Sequence, residues 1–149
     1  MKRTTLREHV FRILFRYEFY DTDEFAEQEK LYFEQYPEWT GDDRNDLVEN
    51  DRAIGDLDRA EIESRVNDIA AHLGEIDDKI SGACRGWKLS RLGKAELSIL
   101  RLAVYEMLYD NDIDTAVAIN EAVELSKKYC DEKSRGFVNG VLAGLQNNE

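Results

Sequence analysis

The segment from residue 94 to 109, KAELSILRLAVYEMLY, constrains the fold more than any other stretch. Ala95, Leu97, Ile99, Leu100, Leu102, Ala103, Val104, Met107 and Leu108 cover most sides of a helix. A helix apolar nearly all round must be packed on several faces, so this segment is expected at the centre of a helical bundle. It is no membrane span: Lys94, Glu96, Arg101 and Glu106 interrupt it, and no window of the chain approaches the ~18 apolar residues a span needs. Pro37 is the single proline, and alternating apolar–polar runs are missing, which favours long helices over short strands. The expected fold is an all-α bundle of about six or seven helices; 149 residues suit one domain or two small subdomains sharing a core.

Other apolar stripes keep helical spacing. Leu6, Val10, Ile13, Leu14 and Tyr17 share one face of a helix over 3–20, which Thr4 or Thr5 could cap with Glu8 near the capping-box position. Arg12 and Arg16 lie opposite, with His9 beside them and Phe15 next to the strip. Residues 21–60 are acidic and less legible: a helix around 23–35, a loop from 37 to about 43, then a second helix. Ile62, Val66, Ile69, Ala70, Leu73, Ile76 and Ile80 form a stripe over 58–82 with a break near Gly74. Trp87, Leu89 and Leu92 read as apolar plugs in the connection that follows. Helices over about 115–130, capped by Asp112 or Asp114, and 134–146, starting at Ser134, complete the chain.

The net charge of −12 argues against nucleic acid, but its distribution does not. Residues 1–17 carry Lys2, Arg3, Arg7, Arg12 and Arg16 against Glu8, and residues 79–101 carry six cations against Glu96. Residues 18–63 hold 17 acidic side chains against four cations. A polyanion responds to potential within a Debye length of ~8–10 Å, so the basic clusters matter more than the total. Lys88, Arg91 and Lys94 either flank a nucleic-acid track or surround a loop. Cys84 and Cys130 read as reduced thiols of a cytoplasmic protein, since the start of the chain lacks a secretory leader. His9 and His72 are too isolated for a metal site. No P-loop, nucleophile elbow or dinucleotide fingerprint occurs, so neither catalysis nor a cofactor is expected. Arg101, inside an apolar helix, points to an ion pair with Glu106 or Glu121. Asn120 and Asn139 read as locks on helix ends in preference to nucleic-acid contacts, and Gly140 and Gly144 as a close approach of another helix before that of a partner chain.

Three blocks in order, WKLSRLGKAELSILRLAVYEML, DTAVAINEAVELSKKYC and KSRGFVNGVL, together with the opening REHVFRILFRYEF, resemble the NusB family of bacterial transcription antitermination factors. The resemblance runs through about residues 1–20 and 80–145. It implies two small helical subdomains packed side by side, about 1–80 and 81–149. It also implies binding of boxA, a short single-stranded element of ribosomal RNA leaders. The implied partners are a ribosomal protein that doubles as NusE and the RNA polymerase antitermination complex, with no cofactor; a homodimer is left open.

Residue by residue, the resemblance places Lys2, Arg3, Arg7, Arg12 and Arg16 on an RNA-facing first helix. The family often has a denser arginine run where this chain has Thr4 and Thr5. Phe137 stands where the family places an aromatic near RNA, and Lys133 where it often has an aspartate. Glu96 matches a position at the NusE interface. Phe15 and Phe137 are either core or base-stacking residues; Lys88 and Arg91 complete the candidate RNA contacts. Rival readings are a protein–protein adaptor with little RNA binding and the RNA-docking module of a ribosomal RNA methyltransferase.

Overall fold

The structure is a computed structural model that describes residues 1–36, 53–86 and 88–147. Seven α-helices stand among the described residues: α1 Arg3–Tyr17, α2 Phe25–Glu34, α3 Asp56–Ala71, α4 Leu73–Ala83, α5 Lys94–Tyr109, α6 Thr115–Tyr129 and α7 Glu132–Asn147. Single 3-10 turns precede α2 and α5. The described residues contain no β-strand, and none of their helices is long and apolar enough to cross a membrane. The loop and second helix expected between 37 and 52, and the Trp87 plug, lie outside the described residues; Leu89 and Leu92 are half-buried.

The chain divides into two compact units, Met1–Asp68 and Ile69–Glu149. The dividing line falls inside α3, earlier than the expected one near residue 80. Helix α4 goes with the C-terminal unit because it packs against α5 and α7.

In the N-terminal unit, α1 buries Leu6, Val10, Phe11, Ile13, Leu14 and Tyr17, the stripe its spacing defines. Helix α2 meets α1 through Tyr17, whose ring stacks on Phe25 with centroids 4.0 Å apart. On α3, Ile62 and Val66 are fully buried, and Arg59 lies 4.6 Å over the Phe33 ring. Thr4 and Thr5 do not cap α1. The helix begins earlier, with Lys2 at the cap position and no side-chain cap, which leaves both threonines inside the first turn.

In the C-terminal unit α5 is central, packed against α4, α6 and α7. It buries Leu97, Ile99, Leu100, Leu102, Ala103, Val104 and Tyr105, as an all-round apolar helix requires. Each fully buried Leu or Ile contributes about 1.5–3 kcal/mol of transfer free energy. Arg101 forms a two-pronged pair with Asp77 of α4, Nε and Nη2 each 2.9 Å from a carboxylate oxygen. The break expected near Gly74 falls at His72, between α3 and α4. Helix α7 starts at Glu132, two residues ahead of expectation, because Asp131 caps it. The Asp131 carboxylate accepts the Ser134 N–H at 3.0 Å and the Ser134 hydroxyl at 2.9 Å.

A candidate RNA interface on the first two helices

Arg12, Phe15 and Arg16 leave the outer side of α1 at spacings of three, four and one, and so share a face. Helix α2 lies alongside, and between them runs an open groove of about 480 Å³. It is lined by Arg12, Phe15, Arg16, Phe19, Tyr20, Tyr32, Gln35 and Tyr36. The rings form a graded series. Phe11 is core, Phe15 is half-buried and stacks on Phe11 at 6.1 Å, and Phe19 is 57% exposed and meets Phe15 edge-on at 5.3 Å. Tyr20 adds a further exposed ring. Phe15 is thus neither wholly core nor wholly surface: one face packs, and the remainder lines the groove.

The two arginines are held by neutral or acidic neighbours. Arg16 donates from Nε to Oε1 of the buried Gln28 at 2.6 Å, which leaves its two Nη groups without a partner among the described residues. Arg12 donates to Glu8 at 3.1 Å and to the Tyr36 hydroxyl at 3.4 Å. Tyr36 in turn donates to Tyr32 at 3.3 Å, and the Tyr32 hydroxyl lies 2.6 Å from Nδ1 of the buried His9. Burial, followed by the Tyr36 hydrogen bond, pushes the Tyr32 phenol far above its ordinary range, so it stays protonated. Burial and then the neighbouring Glu29 do the same to Tyr17, the residue that sets α2 against α1. The groove therefore offers fixed guanidinium groups beside exposed rings. That combination takes phosphate oxygens by charge-assisted hydrogen bonds and unstacked bases by π-stacking.

The remaining expected cations fall elsewhere. Arg7 is buried, at 8% exposure, because it lies three, four and seven residues from Val10, Phe11 and Leu14 and so faces the core. Arg3 is exposed but held by Glu61, with Nη1 2.9 Å from both carboxylate oxygens; Lys2 is exposed. In the C-terminal unit Lys88, Arg91, Lys94 and Lys133 are exposed and Phe137 is half-buried. Glu96 closes the start of α5, its carboxylate accepting the Gly93 N–H at 3.1 Å. Neither Asn120 nor Asn139 locks a helix end: both are exposed and make no side-chain hydrogen bond among the described residues. Gly140 and Gly144 are likewise not helix contacts, since a Cβ at either would meet nothing within 4 Å. The sequence pattern passes over Phe19, Tyr20, Gln28 and Tyr36. Only Phe19 carries a local signal, standing four residues after Phe15.

Among the described residues, the acidic side chains that converge closely enough for a cation are Asp21, Asp23 and Glu24, all exposed. Cys84 and Cys130 are free thiols. Burial, then Glu96 and Asp131, pushes Cys130 up to about 11.

A family model described as the NusB family matches residues 4–147. The transcription antitermination protein NusB of Agathobacter rectalis is 44% identical over 143 residues, 96% of this chain and 98% of that protein. A structure of T. maritima NusB superposes with a TM-score of 0.79 at 30% identity, covering 100% of this chain and 93% of the other. A chain in a crystal structure of antitermination factors NusB and NusE in complex with dsRNA gives 0.76 at 26% identity, covering 99% and 97%. With a match along nearly its whole length in sequence and in fold, the chain belongs to the NusB family.

Proposed function

We propose that this protein is an RNA-binding transcription antitermination factor that takes boxA-type single-stranded RNA of ribosomal RNA leaders together with NusE, within the RNA polymerase antitermination complex. The reading is carried by the groove between α1 and α2, where Arg16 presents two uncommitted Nη groups beside the exposed Phe19 and Tyr20 rings. A duplex keeps its base faces stacked on one another, whereas a single strand can lay them on these rings, so the groove favours single-stranded RNA. The functional act is binding, with no chemical step. Arg12 and Arg16 supply electrostatic capture, the rings supply base stacking, and NusE enlarges the surface. Lys88, Arg91, Lys133 and Phe137 are proposed as further RNA contacts on the C-terminal unit, and Glu96 as a contact for NusE.

A labelled boxA-like RNA is titrated by fluorescence anisotropy against a scrambled control, with and without NusE, at two salt concentrations. Binding that prefers boxA, strengthens with NusE and weakens with salt is expected, because phosphate contacts release counterions. Equal affinity for both RNAs, or no binding with NusE present, would replace this reading with a protein adaptor.

A further inference from the structure

A second open groove, of about 650 Å³, runs between α6 and α7 in the C-terminal unit. Its walls combine amide, small, apolar and charged side chains, the acidic Glu132 among them. Asn120, Asn139 and Gln146 contribute primary amides, all exposed and none with a hydrogen-bond partner among the described residues. Ala116, Gly136 and Ala143 keep the walls low, and Ile119 and Val123 supply apolar surface. Lys127 and Arg135 stand at the end nearest the α6–α7 turn. We propose that this groove is a docking site for an extended polypeptide segment of a partner protein, bound through its backbone and carrying one carboxylate at the Lys127–Arg135 end. The proposal goes beyond the RNA reading and does not depend on it.

The chemistry of the walls selects this occupant. A primary amide presents a donor and an acceptor side by side, the same pair a peptide group presents, so each amide can bond a peptide N–H and C=O together. Main-chain hydrogen bonds of this kind are how extended peptides are commonly held. From Glu132 to Gln146 the α7 wall runs about 21 Å at 1.5 Å per residue, which matches about six residues of extended chain at ~3.4 Å each.

The charge is wrong for a polyanion. Lys127 and Arg135 stand at one end only, each with a surface carboxylate beside it, Glu124 at 2.9 Å and Glu132 at 3.2 Å, so no line of cations runs along the groove to track a row of phosphates. Glu132 is 90% exposed, so its surface pair with Arg135 is weak, and a single incoming carboxylate can replace it. The position agrees. Phe137, proposed to face RNA, lies about 160° around α7 from Asn139 at 3.6 residues per turn.

The test uses the full chain labelled with ¹⁵N, in which the side-chain amides of Asn120, Asn139 and Gln146 report directly. Hexapeptide pools with aspartate fixed at each position in turn are titrated, with U6 and A6 oligoribonucleotides as the other arm. The proposal expects a pool with a terminal aspartate to shift the three amide signals. It further expects that affinity to fall about tenfold or more in Asn120→Ala/Asn139→Ala, with melting temperature and boxA RNA affinity unchanged. Peptide pools that leave the three signals in place would overturn it. So would oligoribonucleotides that move the signals when peptides do not, since the groove would then be a nucleic-acid surface.

Discussion

Replacing Phe19 by alanine separates RNA stacking from folding more cleanly than any other change in the first groove. Phe19 follows the end of α1, is 57% exposed, and its ring has an edge-on contact with Phe15 at 5.3 Å. Loss of that edge contact costs stability about 0.5–1.5 kcal/mol. One base stacked on the ring is worth about 1–3 kcal/mol, which corresponds to a rise in Kd of roughly 5- to 150-fold. The assay pairs an anisotropy titration of boxA-like RNA with thermal unfolding of the same variant. Phe11→Ala is the control, because Phe11 is 1% exposed and its truncation should cost the fold about 3–5 kcal/mol. The groove account expects Phe19→Ala to lose affinity out of proportion to its small loss of stability. Affinity within about twofold of the parent, at unchanged salt dependence, would refute base stacking at this position.

Three other outcomes follow from the geometry. Asp77→Asn leaves Arg101 facing a neutral amide and should cost about 1–3 kcal/mol, roughly 3–9 °C in Tm, by calorimetry; no change would remove the pair from the account. The Asp131 carboxyl is held below its ordinary value by the Ser134 backbone and hydroxyl hydrogen bonds. Its stabilisation is therefore present above the unfolded value near 3.8 and lost as pH falls through the lower folded value. Asp131→Asn should flatten stability against pH in that acidic window, read by denaturant unfolding; an unaltered profile would contradict the cap. Glu96→Gln keeps an acceptor for the Gly93 N–H while removing the charge. It should weaken NusE binding at unchanged Tm, whereas Glu96→Ala should also lower stability by about 0.5–1 kcal/mol. Calorimetric titration with NusE reads the difference, and NusE affinity equal to the parent's in both variants would leave Glu96 a cap alone.

What could be read from the chain depended on whether the signal was local. Ile62, Val66, Ile69, Ile76 and Ile80 are all fully buried, because an apolar stripe at helical spacing has one low-energy destination. The same periodicity placed Arg12, Phe15 and Arg16 on one face. Arg7 defeats it: a lone cation beside a stripe looks alike whether it faces water or core, and only the packing decides. Gln28 and Tyr36 were invisible because they reach the site from α2 and the turn after it, 12 and 24 residues from their arginines. Asp77 reaches Arg101 across a separation of 24 residues in the same way, from a neighbouring helix that the periodicity of α5 does not reveal. The amides of Asn120 and Asn139 illustrate the reverse error. Buried amides are normally satisfied internally, but that expectation applies only if the groups are buried, and these are not.

Photocrosslinking reads whether RNA bases lie in the groove between α1 and α2. A boxA-like RNA with 5-bromouridine at each uridine is irradiated in complex with the full chain and NusE, and crosslinked peptides are located by mass spectrometry. The account predicts crosslinks at Phe15, Phe19 or Tyr20, lost on competition with unlabelled boxA RNA and not with the scrambled sequence. Crosslinks confined to the C-terminal unit, with none on α1 or the turn that follows it, would contradict it.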